Sequence, residues 1–254
     1  LGIPLAGDDL VAPVAAADDS KLYGYGRISG DLVSLSLAEG DALSGTPLRL
    51  PASDPRKPAP PVTKPIKFSR LGLRHVPKSL LRLNDGRVMG SAADGALIVI
   101  DPAENSIERL HNAALPALPG REQFATGNAW AQLPDGTVYG MTQAGRLFSL
   151  DLGEARVTDL GKPLRQNGAK GLVFNPADGL LYGACGEPFG IDRVFAYDPD
   201  KGTYISLGIL ENPGGPNRFA RVGDMTVDAH GHVVIGELDN LADIELWPAT
   251  NPQK

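Results

Sequence analysis

The sequence predicts an all-β protein built from repeated units of four short antiparallel strands. Composition and a recurring motif both support this prediction. Of the 254 residues, 31 are glycine and 22 are proline, and both residues are unfavourable inside helices. Hydrophobic residues make up 42% of the chain, which is enough for a substantial core. We therefore expect one large domain with many short strands.

Charge and hydropathy argue against two classes of protein: generic nucleic-acid-binding proteins and proteins with membrane-spanning helices. The formal net charge of −6, from 24 basic and 30 acidic residues, removes the general attraction on which generic nucleic-acid binding depends. No apolar run approaches the ~18 residues that a membrane-spanning helix needs. The chain starts at Leu1 without an initiator Met or a signal segment. We therefore expect a soluble piece whose first residue is not a translation start.

A six-residue motif of a turn, an apolar pair and a glycine recurs in the same register. Four copies are clear, and a fifth, at 230–235, is weaker. The Asp-Gly pair in most copies tolerates the positive φ angles of a tight hairpin, so each copy predicts strand, turn, strand. The clear copies span 19–24, 85–90, 135–140 and 178–183.

The spacing of the motif predicts the size of the repeating unit. The last positions of the copies, 24, 90, 140, 183 and 235, are 66, 50, 43 and 52 residues apart, which is the range of propeller blades. The third unit contains four predicted strands, at 129–133, 137–142, 146–152 and 156–160. One unit is therefore a four-stranded meander.

Two further positions recur within the units. The third strand ends in an aspartate, at Asp101, Asp151 and Asp198, whose side chain can stabilise the following turn. The second strand carries a glycine where we expect close approach by a neighbouring backbone. These glycines are Gly24, Gly90, Gly140 and Gly183.

A four-stranded twisted sheet is too small to cover both of its faces, so such units pack against each other in a ring. We therefore predict a β-propeller with about five blades, as one domain or a propeller segment over 1–254. A β-sandwich is the alternative, although it does not predict a four-strand period. The predicted blades span 10–50, 78–110, 128–160, 171–208 and 223–250, with a basic, proline-rich insertion at 51–77.

Both ends of the chain fall inside the repeating unit. Leu1–Leu5 resembles Leu160–Leu164, which ends a fourth strand, and Asp243–Trp247 is expected to be a third strand. Two explanations remain open. The chain is a segment of a longer, roughly seven-bladed propeller, or five blades close with little overlap.

The motifs D-G-x-[VL]-[YM]-G, G-x-[LV]-[FI]-x-[LY]-D-P and L-G-x-P resemble the blades of bacterial, mostly exported β-propellers of the WD-like and YVTN-like kind. Nearly the whole chain outside 51–77 takes part in this resemblance. The resemblance implies an extracellular or periplasmic protein. It also extends to polysaccharide-lyase-type propellers, including the oligogalacturonate-lyase-like kind, although no catalytic set of a lyase family maps onto this chain.

The segment 55–83 carries eight basic residues and no acidic one, so the remainder of the chain has a net charge of −14. One interpretation is a proline-stiffened insertion that lies on the acidic body or on a neighbouring blade. The other is a docking strip for an anionic partner, such as a uronate-containing glycan.

In a propeller, the loops between blades and those between second and third strands gather at one face, where function usually resides. We predict His75 and Arg221 there as catalytic residues. Histidine would act as a base, and arginine would neutralise a substrate carboxylate so that the adjacent carbon becomes acidic. Ordinary solvated loop charge is the alternative for each candidate. The predicted ligand-binding residues are Arg74, His111, Arg165, Glu187, Arg218, Glu237 and Asp239.

No metal site is predicted. His230 and His232 could form a metal pair by their spacing, but their place in a hairpin turn favours ordinary turn residues. Cys185 is the only cysteine and is expected to be a buried thiol. The sequence contains no haem, nucleotide or zinc motif, and the cofactor is left open.

Three hypotheses for function follow. The first is an exported propeller module that binds a glycan, a small ligand or a protein partner through its loop face. The second is a polysaccharide lyase or related carbohydrate-active enzyme, such as a hydrolase, that acts on uronates. The third is a propeller subunit that another chain completes in an assembly.

Overall fold

The computed structural model describes residues 10–16, 21–26, 32–36, 45–47, 79–92, 95–104, 106–120, 125–187, 190–210, 221–238 and 244–247. Within these ranges the chain forms strands, turns and irregular segments and no helix. Consequently, no described segment is a helix with the length and apolar character that crossing a membrane requires. The predicted basic segment lies outside the described residues except for 79–83.

The described strands, in chain order, are β1 Leu10–Ala15, β2 Lys21–Gly26, β3 Leu32–Ser36, β4 Gly45–Pro47, β5 Leu81–Arg82, β6 Val88–Ser91, β7 Leu97–Asp101, β8 Ser106–Leu110, β9 Gly127–Gln132, β10 Val138–Thr142, β11 Leu147–Asp151, β12 Arg156–Gly161, β13 Ala169–Asn175, β14 Leu180–Cys185, β15 Arg193–Asp198, β16 Thr203–Gly208, β17 Val222–Val227, β18 Val233–Glu237 and β19 Ile244–Trp247. In the third sheet the four observed strands differ from the predicted ones by no more than two residues at either end.

The strands form five antiparallel meanders in which consecutive strands are neighbours. Four sheets have four described strands, and the fifth contains β17, β18 and β19. The chain divides into two compact units, Leu1–Ala114 with the first two sheets and Leu115–Lys254 with the other three.

The hairpins between first and second strands form as the Asp-Gly motif predicts. Gly86, Gly136 and Gly179 have φ angles of 88°, 92° and 76°, which an L-residue with a side chain rarely adopts. In the third sheet, the Asp135 carboxylate accepts a hydrogen bond from the Thr137 amide at 2.9 Å. The glycine and the aspartate therefore act together to hold the turn.

The fifth hairpin departs from this pattern. His230 stands where the other copies have aspartate, and Gly231 keeps the positive φ of 82°. Asp228, two residues earlier, accepts hydrogen bonds from the amides of His230 and His232, both at 2.8 Å. The fifth turn therefore has the same geometry as the others, although its aspartate stands two residues earlier in the repeat.

The aspartates at the ends of the third strands also behave as predicted. One oxygen of Asp151 accepts hydrogen bonds from the Gly153 and Glu154 amides at 2.9 and 3.1 Å. Asp101 and Asp198 make the same pair of bonds to the second and third residues after them. Each aspartate therefore fixes the turn into the fourth strand.

The second-strand glycines correct one expectation. At Gly140 and Gly183, side chains rather than backbone fill the space beside the glycine. A Cβ on Gly140 would collide with the rings of Phe148 and Trp130, and one on Gly183 would lie 2.5 Å from the Phe195 ring. Side chains, most of them aromatic, occupy the volume because glycine leaves a cavity that a facing ring can fill.

Burial distinguishes central from outer strands. Every residue of β10 and β14 is buried, whereas β12 and β16 contain no buried residue. In the second unit, one core cluster joins the third and fourth sheets, and another joins the fourth and fifth. Neighbouring sheets thus cover the fourth sheet on both faces, whereas its outer strand and that of the third sheet are exposed or half-buried.

Candidate functional site

Backbone hydrogen bonds between sheets define one end of the second unit. The Gly168 amide donates to the Gln143 carbonyl at 2.7 Å, and the Gly186 amide donates to the Gly168 carbonyl at 3.1 Å. These bonds join the β10–β11, β12–β13 and β14–β15 connections. We call these three connections, together with Arg221 and Leu238, the loop rim. It corresponds to the predicted loop face.

Gly168 permits this close approach. Its φ angle is 69°, and a Cβ there would collide with the Gly186 carbonyl oxygen. A larger residue would force the two connections apart, so the rim depends on glycine at this position.

Side chains add a second layer of contacts to the loop rim. The Lys162 ammonium donates to the Asn167 side-chain oxygen at 2.6 Å. The amide and side-chain nitrogens of Asn167 donate to one Glu187 oxygen at 3.0 and 2.9 Å. Because both ends of the Asn167 side chain are held, the Glu187 carboxylate has a fixed position although Glu187 is exposed.

Asp192 connects the rim to the fifth sheet. Its side chain is only 1% exposed, and one oxygen accepts a hydrogen bond from the Val222 amide at 2.7 Å. The Lys170 ammonium lies 4.0 Å from the same oxygen. A buried carboxylate needs such partners, so Asp192 holds the first residue of β17 in place.

Arg221 and Glu237 lie close together at the ends of two paired strands. Val222, the residue after Arg221, pairs with Glu237 in the β17–β18 ladder. The Leu238 amide donates to the Arg221 carbonyl at 3.0 Å. Both side chains are half-buried. The structure therefore places the backbones of these two predicted site residues next to each other at one end of the β17–β18 pair.

The two remaining candidates in this unit differ in their contacts. Arg165 is exposed in the β12–β13 connection, and its side chain forms no hydrogen bond or ion pair with the described residues. By contrast, Arg146 on the same rim is engaged with Asp159 at 2.5 Å. Glu187 is tied to Asn167, as described above. Arg165 is thus an arginine that is available to a ligand.

The other predicted site residues are placed differently. His111 is exposed in the turn after β8, in the first unit. Four predicted residues lie outside the described part of the chain, and their prediction stays untested. They are Arg74, His75, Arg218 and Asp239.

Sequence reasoning missed the residues that organise the rim. Lys162, Asn167 and Asp192 lie in connections of the loop rim but are not among the predicted site residues. The signal for Asp192 is its position just before an apolar strand, where a carboxylate can accept a backbone hydrogen bond. Nothing in the spacing indicates that its partner is Val222, thirty residues away.

Within the described residues no three or more histidine, cysteine or acidic side chains are grouped so that they could hold a metal ion. Cys185 is buried, and burial raises the pKa of its thiol to about 12. A thiol in that state is protonated at neutral pH and is therefore a poor nucleophile.

No protein-family model and no curated protein matches the chain. Several solved structures, by contrast, match the chain. A catalytically inactive virginiamycin B lyase from Staphylococcus aureus, with quinupristin, matches over 99% of this chain and 74% of its own, with 12% identity and a TM-score of 0.63. The extracellular domain of BT4673 from B. thetaiotaomicron matches over 94% of this chain and 27% of its own, with 16% identity and a TM-score of 0.58.

A structure of the nidogen/laminin complex matches over 91% of this chain and 72% of its own, with 11% identity and a TM-score of 0.54. At such identities these similarities show the fold alone. Together with the five antiparallel meanders, they confirm the predicted fold class: the chain is all-β and has a β-propeller fold built from four-stranded blades.

Proposed function

We propose that the protein is a carbohydrate-binding β-propeller module that holds an anionic, uronate-containing glycan at its loop rim. The observation that carries this proposal is the exposed Arg165 guanidinium on the connection in which Asn167 holds Glu187 in place. The proposal narrows the broader hypothesis of a module that binds a glycan, a ligand or a protein.

The chemistry of these three groups suits an acidic sugar. A guanidinium binds a carboxylate through two parallel hydrogen bonds, which gives geometric specificity as well as affinity. The β12–β13 connection contributes Lys162 and Arg165 and contains no acidic residue. The Glu187 carboxylate can accept hydrogen bonds from sugar hydroxyl groups. Cation and acceptor thus lie on adjacent connections of one rim.

Preorganisation supports the same assignment. Lys162, Asn167 and Glu187 are already joined in the free protein, so binding a sugar need not order these side chains. Ordering costs roughly 0.5–1.5 kcal/mol for each flexible side chain at an interface. Because these side chains are already ordered, the loop rim can bind a hydrated ligand that offers little apolar surface.

The comparisons show what the fold can do elsewhere. One similar structure is a lyase with quinupristin, another belongs to the nidogen/laminin complex, and a third is an extracellular domain. The last is consistent with the export that the motif resemblance implies. These cases support binding on an exported propeller in general terms, and the rim residues of this chain direct the proposal toward an acidic glycan.

The test is isothermal titration of the protein with oligogalacturonate and with its methyl ester, which lacks the negative charge. We expect the acid to bind and the ester to bind at least roughly tenfold more weakly, since hydrogen bonds to a charged group contribute about 1.5–3 kcal/mol. Arg165→Ala should reduce affinity for the acid to that for the ester.

Arg156→Ala is the matched control, because Arg156 is also exposed on the second unit but pairs with Glu154 at 3.0 Å, away from the rim. If Arg165→Ala and Arg221→Ala both bind the acid as the unchanged protein does, or if no acid binds, the proposed site is wrong. The ultraviolet absorbance of an unsaturated product in the same samples would instead establish the uronate lyase. A stoichiometric complex with a second protein in native mass spectrometry would support the subunit hypothesis.

A further inference from the structure

A cavity of about 360 Å³ lies in the second unit at the end remote from the loop rim. It runs along β9, β13 and β17, the first strand of each sheet, where each of these strands has a neighbour on one side only. This volume falls at the lower end of the ~300–1,000 Å³ typical of small-molecule sites. Its main lining residues are Trp130, Gln132, Phe174, Pro176, Thr226 and Asp228.

The lining combines polar and apolar groups in similar measure, and Asp228 is the one charged residue among the described residues that line the cavity. Phe174 is half-buried and adds an aromatic side chain beside aliphatic residues of β13. Small-molecule sites combine apolar and aromatic surface with a few placed polar groups.

The Asp228 carboxylate is held in one position. Its Oδ1 accepts hydrogen bonds from the His230 and His232 amides, and its Oδ2 lies 2.8 Å from Nδ1 of His232. These contacts lower the pKa of Asp228 to about 2, so the group is ionised at neutral pH. A carboxylate offers about four acceptor positions, and these three contacts leave one on Oδ2 for a ligand.

The surroundings of the cavity are acidic as well. The five connections at this end of the second unit join first to second and third to fourth strands. They contain five acidic residues and one basic residue: Asp135, Glu154, Asp178, Asp200 and Asp228 against Lys201. Such a field favours a cation and repels an anion.

We propose that this cavity binds a small organic cation with an apolar body, whose ammonium group pairs with Asp228 and whose body contacts Phe174. Aromatic faces attract cations in addition to offering apolar contact. The site is distinct from the loop rim in place and in preferred charge, so each can be tested without the other.

The test uses three probes that share one ring and one chain length: phenethylammonium, phenethyl alcohol and phenylacetate, with charges of +1, 0 and −1. Binding to the full chain is measured by saturation-transfer NMR and titration. We expect phenethylammonium to bind roughly tenfold more tightly than the alcohol, in keeping with a partly desolvated ion pair and a cation–π contact. Phenylacetate should not bind measurably.

The variant Asp228→Asn keeps the acceptor oxygen for the turn and removes the charge. It should reduce affinity for the ammonium probe to that for the alcohol. Asp178→Asn is the matched control, because Asp178 lies in the neighbouring hairpin, caps it in the same way and does not line the cavity. Phe174→Leu should weaken the binding of both phenethylammonium and phenethyl alcohol.

Three results would overturn the proposal: equal binding of the three probes, no binding of phenethylammonium, or equal losses in Asp178→Asn and Asp228→Asn. The charge series on the unchanged protein decides the issue even where Asp228→Asn does not fold.

Discussion

Single glycines in these sheets are constrained by two different physical effects, and substitution separates them. Gly140 has ordinary strand geometry but lies against Phe148 and Trp130. Gly136 has open space around it but a φ angle of 92°. The first glycine is needed for volume and the second for conformation.

Substitution of Gly140 by alanine should lower the free energy of unfolding by about 1–3 kcal/mol, the usual cost of overpacking a core. Urea denaturation measures this change. Gly236→Ala is the control, because a Cβ there meets only the Asp224 carbonyl at 3.9 Å. Equal stability of Gly140→Ala and the unchanged protein would show that the rings move aside at no cost.

At Gly136, alanine should destabilise by about 1–2 kcal/mol because of the left-handed backbone. Asparagine should recover most of this loss, since its short polar side chain is more tolerant of that conformation. The midpoints of urea unfolding at constant slope compare the three proteins. An asparagine variant as unstable as the alanine variant would contradict the conformational explanation.

Individual turns and connections depend on buried or fixed carboxylates. At Asp228 the folded state lowers the pKa to about 2, chiefly through the hydrogen bond from His232. A group with a lowered pKa stabilises the fold above its unfolded pKa and loses that contribution as the pH falls through the folded value.

The difference in unfolding free energy between the unchanged protein and Asp228→Asn should therefore shrink as the pH falls from about 4 towards 2. Denaturation at a series of pH values gives this difference directly, and the other carboxylates cancel because both proteins contain them. A difference independent of pH would mean that the ionised Asp228 gains nothing from His232 in the fold.

Asp192 acts between sheets, and its loss should be felt at the start of β17. Asp192→Ala removes the acceptor of the Val222 amide, and leaving a buried donor without its partner costs about 1–3 kcal/mol. Hydrogen exchange at the Val222 amide should become faster. Asp224→Ala, which removes only a bond from the adjacent Met225 amide, should leave exchange at Val222 unchanged.

These elements show how much the sequence predicts and where prediction stops. The strand order and hairpins follow from local signals, because glycine with positive φ and an aspartate two residues before an amide are encoded within six residues. The partners of Gly140 and Asp192 depend on packing between strands or sheets, which a single sequence does not reveal. In the candidate site, the sequence predicts that Arg165, Glu187, Arg221 and Glu237 occupy loops or strand ends. It does not predict that Asn167 holds Glu187 or that Asp192 holds the Val222 amide.

At the scale of the whole molecule, the acidic excess belongs to one unit. Residues 1–114 contain 13 basic and 13 acidic residues, whereas 115–254 contain 11 and 17. The basic segment at 55–83 balances the first unit. The second unit therefore carries the net charge of −6 and, within it, an acidic end that contrasts with the cations of the loop rim.

Cys185 provides a reporter of the stability of the fold around it, because it is the only cysteine and its thiol is buried with a pKa of about 12. We expect iodoacetamide to leave the native protein unlabelled at neutral pH. Labelling, followed by intact mass spectrometry, should rise with urea in parallel with unfolding. Rapid labelling without denaturant would show that the fourth sheet opens locally.

The facing positions of the second and third strands have a consequence for the history of such a chain. Gly140 pairs with Phe148 and Gly183 with Phe195, whereas in the fifth sheet Ile235 pairs with Glu245. In these two sheets the bulk of the pair lies on the third strand, whereas the second strand of the fifth sheet carries an isoleucine where the others have glycine. For copies that arise by duplication, the order of substitution then matters. The facing phenylalanine has to be replaced by a smaller residue before the glycine can be replaced by a residue with a side chain. In the reverse order, the first substitution places a side chain against the unchanged ring and destabilises the protein.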